Sequence, residues 1–243
     1  MHPLDDVIWR ALTTSQAHLG TKNHSAGKFF AEVSILGALA EPSAEAYESL
    51  CTLLRPYERV GLFLEETPEP PLPWKLRSSG PLLQMLHEDV HSAENPHGPE
   101  FLRLGEADVA DMLALTRLTK PGPFGKRTHE MGEYWGIRQD GDLIAMAGER
   151  LRLPGYTEIS AVCTHPEHLG CGYATALIKT LIQRIRGRGE QPFLHVRPEN
   201  TRAVELYERL GFHKCVLMQY VILEKQTTED TGEHRGKTNQ SAP

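Results

Sequence analysis

A strand that passes through a glycine turn into a helix constrains this chain more than any other feature. Residues 157–164 read as a strand. Residues 172–185 read as a helix in which Leu177, Leu181 and Ile185 recur every fourth residue, with Ile178 and Ile182 beside them. Between the two lies His165-Pro-Glu-His168-Leu169-Gly170-Cys171-Gly172-Tyr173-Ala174. Two glycines at the mouth of a helix let the backbone come close to a ligand, and free N–H groups converge there with the positive end of the helix dipole. Such a place suits a pyrophosphate. No Gly-Lys-Ser/Thr follows, so this is not a Walker loop, and Thr175 stands where the GxGxxG dinucleotide fingerprint would have its last glycine or alanine. Taken alone, the turn fits a plain strand-to-helix connection equally well.

The surrounding pattern supplies more strands and helices. Residues 101–104 form a short strand, and Asp108 caps a helix carrying Val109, Met112, Leu113 and Leu115. Residues 134–138 and 143–151 pair around Asp140-Gly141, a strong hairpin signal. Residues 193–196 form another strand. A helix opened by Asn200 or Thr201 stacks Ala203, Leu206, Tyr207 and Leu210 until Gly211 stops it. Residues 214–223 fit a final strand pair. In the first half, residues 5–19 and 43–54 read as helices, the second started by Ser43, and residues 60–64 as a strand. Prolines 68, 70, 71 and 73 interrupt this half. The stretch 91–99 is loose, which places a domain boundary there, and the polar tail lacks an apolar face to bury.

A formal net charge of −6 argues against nucleic acid or an anionic membrane as the main partner. The strongest apolar run, residues 33–40, is far too short to span a bilayer, and the first ten residues lack the pattern of a secretory signal. Cys51, Cys163, Cys171 and Cys215 show no CxxC pairing, as expected of reduced thiols in a cytoplasmic protein.

About thirty residues beyond the glycine turn comes Phe193-Leu-His-Val-Arg-Pro-Glu-Asn200-Thr-Arg-Ala-Val-Glu-Leu-Tyr207-Glu-Arg-Leu-Gly211-Phe212. With this second segment the chain resembles the GNAT superfamily of acyl-CoA-dependent N-acetyltransferases over roughly residues 101–223. The turn matches that family's Arg/Gln-x-x-Gly-x-Gly/Ala loop, and 200–212 matches its Asn…Ala…Tyr…Gly-Phe signature. The resemblance implies an α/β (mixed α+β) GNAT fold: a central mixed, mostly antiparallel sheet flanked by helices, with a smaller N-terminal α/β region. It implies a GNAT domain at 99–225 and an N-terminal region at 1–98 that is either a degenerate copy of the fold or a cap over the acceptor, while the tail at 226–243 reads as disordered from its polar composition.

The resemblance also implies roles. Acetyl-CoA is the co-substrate. Backbone groups of Leu169, Gly170, Cys171, Gly172, Tyr173, Ala174 and Thr175 hold its pyrophosphate, while Val162, Cys163, Thr164 and Asn200 meet the pantetheine arm. Tyr207 is the general acid for the departing thiolate. Glu158 is a candidate base, because it lies four residues before Val162 and a strict two-residue period puts both on one face. Glu149, His129 and a water relay are alternatives, and His165, His168 and His195 read as surface or pocket-lining groups. Leu169 departs from the family's Arg or Gln, which predicts weaker cofactor binding. The acceptor is an amine of a small molecule or a protein, and the protein a monomer or homodimer. A non-catalytic acyl-CoA sensor is the competing reading. A remote one is a zinc protease, from His87-Glu88-Asp89-Val90-His91 with His97 beyond, although Glu94 stands where the longer motif needs glycine. No metal site is expected.

Overall fold

The computed structural model of the chain describes residues 2–88 and 101–227. In chain order the elements are α1 (Val7–Thr13), β1 (Gly20–Lys22), β2 (Ala26–Phe29), β3 (Gly37–Leu39), α2 (Ala44–Leu53), β4 (Arg59–Leu64), β5 (Trp74–His87), β6 (Leu102–Leu104), α3 (Val109–Thr119), β7 (Tyr134–Gln139), β8 (Asp142–Leu153), β9 (Tyr156–Thr164), α4 (Tyr173–Gly187), β10 (Gln191–Val196), α5 (Thr201–Arg209) and β11 (Phe212–Lys225). Eight strands form one sheet in the order β4-β11-β5-β10-β9-β8-β7-β6, and β1, β2 and β3 form a small second sheet. Only β9 and β10 run parallel in the large sheet; the other neighbours are antiparallel. This is the mixed, mostly antiparallel arrangement expected.

Alternation along the strands supplies two cores. Leu83 and Met85 of β5 join Leu194 and Val196 beneath the apolar stripe of α4, where Leu177, Leu181 and Ile185 are fully buried. Leu82 and Leu86, from the other face of β5, pack with Phe193, Met218 and Tyr220 against Leu4, Val7, Ile8 and Leu12 at the N-terminus. A third cluster sets Met112 and Leu115 of α3 against Tyr134, Met146, Ala161 and Cys163.

Several local expectations hold. Ser43 caps α2 by accepting from the Ala46 N–H at 3.2 Å. The β7–β8 hairpin turns through Asp140 and Gly141 with φ of 52° and 94°, as a type I′ turn requires. Others need correction. The helix read over 5–19 ends at Thr13, where the hydroxyls of Thr13 and Thr14 bond back to the carbonyls of Trp9 and Arg10. Asp108 precedes α3, but its carboxylate accepts from the Gly105 N–H and from Arg138 rather than capping the helix. The final strand pair is one strand, β11, with a bulge at Cys215.

The largest difference is β5. Gly80-Pro81 argues against a strand at its centre, yet Pro81 pairs only with Gln219 of β11, while β10 covers β5 only from Leu83 to Leu86. No N–H is needed on the open side at Pro81. Through β4 and β5 the large sheet crosses the division expected at residue 98, so the sheet has no break there. The loose stretch and boundary near 91–99, and the tail beyond Thr227, lie outside the described residues. So do His91 and His97 of the zinc pattern. His87 itself is the last residue of β5 and is buried against the Phe212 ring.

Candidate active site

The site is built where β9 and β10 part. Their parallel pairing runs only from Gln191↔Tyr156 to Phe193↔Glu158, after which β10 turns its pairing to β5 and β9 continues alone on that side to Thr164. Within this stretch β9 carries a bulge. Cys163 faces Met146 and Ser160 faces Gly148, so Ala161 and Val162 lie opposite the single residue Ala147. Ala161 takes φ of 52°, an uncommon conformation for a side-chain-bearing residue. The bulge resets the alternation: Ile159 and Val162 pack on the α4 side, while Ala161 and Cys163 pack on the α3 side.

At the end of β9 the chain makes a one-turn helix, Pro166–His168, and reaches the glycine turn. Gly170 and Gly172 both adopt left-handed backbone, with φ of 84° and 80°. A Cβ built on either would meet nothing within 4 Å. The glycines are therefore required by backbone conformation, and the space before them is open. No side chain caps α4, and its first backbone bond is Ala176 N–H to Gly172 carbonyl at 3.0 Å. The N–H groups of Tyr173, Ala174 and Thr175 stand before that bond and point out of the helix mouth. Leu169 is 54% exposed and Cys171 is exposed beside it. At the far end of α4, Arg184 and Arg186 lie in the last turn, which suits its dipole.

The other predicted residues fall into two groups. Val162 and Tyr207 both pack at the edge of the α4-side core, and the Tyr207 ring meets Phe212 edge-on at 5.9 Å. Burial pushes the Tyr207 phenol up to about 12. Asn200 caps α5, its side-chain oxygen accepting from the Ala203 N–H at 3.2 Å. Cys163 is buried, which pushes its thiol up to about 11 and leaves it an unreactive, protonated side chain.

Glu158 stands elsewhere. Because the bulge interrupts the two-residue period, Glu158 and Val162 lie on opposite faces of the sheet. Glu158 is fully buried. Arg150 grips it through two bonds, Nε to Oε2 at 2.9 Å and Nη2 to Oε1 at 2.6 Å. His195 Nδ1 lies 2.8 Å from Oε1. Burial alone would raise this carboxyl, but the charge of Arg150 and the bond from His195 outweigh it and hold the group at about 2. An ionised carboxylate only accepts, so Nδ1 carries the proton and Nε2 accepts from the Gln84 amide at 3.1 Å. A carboxylate sealed in this way is a poor proton acceptor for an amine. Glu149, the first alternative, is also occupied: it is buried and meets Arg188 Nη2 at 2.6 Å. His129 is half-buried in the short helix Thr128–Met131, and its Nδ1 has no partner among the described residues.

Sequence reasoning gave Arg150 and Tyr134 no role, since both sit on strands among apolar neighbours. They line a narrow cleft with Ser160 and Ala161 under the loop of Pro121 to Phe124. The loop is tied to the N-terminal region. Arg127 N–H donates to the Glu32 carbonyl at 2.9 Å, and the Thr128 hydroxyl donates to the Val33 carbonyl at 2.5 Å. Among the described residues no group of His, Cys, Asp and Glu is arranged to hold a metal ion. Nor is any described helix long and apolar enough to cross a membrane.

Comparison with known proteins agrees with this geometry. Residues 134–221 match the family model of FR47-like proteins. A crystal structure from Novosphingobium aromaticivorans DSM 12444, assigned to the GNAT family of acetyltransferases, is 35% identical, covers 93% of this chain and 100% of its own, and superposes with a TM-score of 0.84. A GCN5-related N-acetyltransferase from Kribbella flavida is 17% identical, with 91% and 95% covered and a TM-score of 0.60. A GCN5-related N-acetyltransferase-like protein from Streptococcus suis 89/1591 is 14% identical, with 90% and 92% covered and a TM-score of 0.53. These last two share the fold. No curated protein matches the chain. With two signatures in register, the parted parallel strands and a full-length relative at this identity, the chain belongs to the GNAT family of acetyltransferases.

Proposed function

We propose that the protein transfers an acetyl group from acetyl-CoA to an amine of a small molecule or protein, by direct attack and without a covalent enzyme intermediate. The observation that carries this reading is the pair of left-handed glycines before an uncapped helix, placed beside the gap between β9 and β10. Backbone N–H groups from Gly170 to Thr175 suit the pyrophosphate, and the unpaired edge of Val162, Cys163 and Thr164 suits the pantetheine arm and the acyl carbonyl. Acetyl-CoA supplies a thioester as the acyl donor. The amine nitrogen forms a bond to the carbonyl carbon, the carbon–sulfur bond breaks, and the sulfur takes the Tyr207 proton. The phenol is regenerated by the proton that the amine gives up.

Burial keeps Tyr207 protonated through the whole working range, as an acid must be before it acts. The same burial makes it a weaker acid than a free phenol. A sulfur leaving into that apolar gap is desolvated too, which raises its own proton affinity. Glu158 serves as a positioning residue for Arg150, and the amine loses its proton to water or to His129. The exposed Leu169 side chain is apolar and offers the phosphates nothing, so binding rests on the backbone.

The test is acetyl-CoA titration by calorimetry, followed by thiol release across a panel of amines. Saturable binding with amine-dependent thiol release supports the reading. Binding with no turnover on any amine would make the protein a sensor. Tyr207→Phe should lower kcat by roughly 10²–10⁴-fold, the usual worth of a general acid, with acetyl-CoA affinity little changed.

A further inference from the structure

We propose that the cleft under the Pro121–Phe124 loop recognises a single carbonyl or carboxylate oxygen of the acceptor, so that the preferred substrates are aminoacyl amines rather than simple alkylamines. The inference rests on the acetyl-transfer reading and specifies its substrate class.

Tyr134 and Arg150 face the cleft as donors, and the Ser160 hydroxyl beside them can turn to donate as well. Tyr134 is only 1% exposed and lines the cleft. Burial moves its pKa upward, so it stays a phenol and donates. Arg150 spends Nε and Nη2 on Glu158, which leaves Nη1 without a partner among the described residues. Its side chain is 14% exposed. Arginine cannot accept. The Thr128 hydroxyl is already engaged, accepting from the Gly125 N–H at 2.7 Å and donating to the Val33 carbonyl. A phenol and a guanidinium that both face a narrow cleft suit an oxygen with free lone pairs.

Size and charge narrow the class. The cavity is about 10 Å³, room for one water-sized group. One oxygen fits, and a phosphate or a sugar ring does not. Glu158 offsets the Arg150 charge, so the cleft is not a strong anion trap and a neutral amide carbonyl is as acceptable as a carboxylate. Its place also suits an acceptor. Ser160 and Ala161 form its floor at the β9 bulge, on the face opposite α4, so an amine anchored here lies across the strand from the glycine turn. Pro121, Pro123 and Phe124 roof it with apolar surface, which lowers the local dielectric and strengthens the bonds below.

The experiment compares pairs on the full chain, glycinamide and β-alaninamide against ethylamine and propylamine, with each kcat/KM expressed per unprotonated amine, because the amide lowers the basicity of its own amine, and with acetyl-CoA affinity measured separately. Two donors at about 1 kcal/mol each predict a preference for the carbonyl partner of roughly 10–100-fold in kcat/KM. Tyr134→Phe removes one oxygen and should cut that preference by about 5–10-fold, chiefly through KM. Arg150→Lys should cut it further; if that variant fails to fold, Tyr134→Phe and the wild-type panel decide alone. Equal kcat/KM for both partners of each pair, or an undiminished preference in Tyr134→Phe, overturns the inference and leaves acetyl transfer standing. Failure to acetylate any amine, with acetyl-CoA still bound, overturns both.

Discussion

Replacing Glu158 by Gln leaves the Arg150 guanidinium in the interior with its charge unmatched. The carboxylate is fully buried and takes two bonds from Arg150 and one from His195. Removing one member of a buried pair typically costs about 3–5 kcal/mol. Glutamine keeps one accepting oxygen, so the lower end, about 3 kcal/mol, is expected. For a chain of this size each kcal/mol moves the melting temperature by roughly 2–4 °C, which gives a drop of about 6–12 °C in calorimetry at pH 7. The pH dependence has a definite sign. The native carboxyl is held at about 2, below its ordinary 4.5. Its contribution is therefore complete above that ordinary value and is lost only as pH falls toward 2. The gap between wild type and Glu158→Gln should stay flat from pH 6 to 9 and narrow below about pH 4.5. The double substitution Arg150→Met with Glu158→Leu should be less damaging than Glu158→Gln alone, because no charge is stranded. A Glu158→Gln penalty under about 1 kcal/mol, or a gap that titrates near neutral pH, would refute the buried-pair account.

Gly172→Ala places a side chain at φ of 80° with open space before it, so the cost is conformational, about 1–2 kcal/mol. Calorimetry should show a melting loss of roughly 2–8 °C. Acetyl-CoA affinity should fall by as much as about tenfold wherever the loop relaxes away from the strained turn. Leu169→Arg adds a cation at an exposed position beside the turn and should tighten acetyl-CoA binding at low salt, with the gain fading as salt rises; no gain at low salt counts against the placement of the phosphates. Because burial holds the Tyr207 phenol at about 12, the pH–rate profile should show no alkaline fall assignable to it below about pH 11, and a fall absent from Tyr207→Phe but present in wild type near pH 9 would contradict this.

Elements governed by local chemistry were readable in the sequence. The Ser43 cap, the Asp140-Gly141 hairpin, the α4 stripe and the Gly211 stop all state their structure within a few residues. The glycine turn of the candidate site was legible for the same reason, since turn and helix are contiguous. The cleft under the Pro121–Phe124 loop was not. It is assembled from β7, β8 and β9, and its polar members look like isolated polar residues in apolar runs. Glu158 was misplaced because a one-residue bulge leaves no mark in composition, yet reverses the facing of everything beyond it. β5 was missed because Gly80 and Pro81 carry the marks of a turn. Pro81 is tolerated since β10 is too short to reach it, and Gly80 leaves room for Arg197, whose Nη1 would stand 3.0 Å from an added Cβ. Both reasons depend on distant partners.

The position of β5 has a consequence for how the molecule is made. This ribbon is laid down early, but its flanking neighbours are β10 and β11, and Trp74 meets Lys225 across the ladder. Until those late segments are synthesised, Leu82 to Leu86 wait without a partner on either edge, as a stretch prone to pairing with the wrong chain. Assembly must then close a very long loop, which is intrinsically slow. Lesions far from the chemistry that delay or shorten β11 should therefore show first as insoluble protein in growing cells, and expression at reduced temperature should recover more of such variants than of those altered in the catalytic groove.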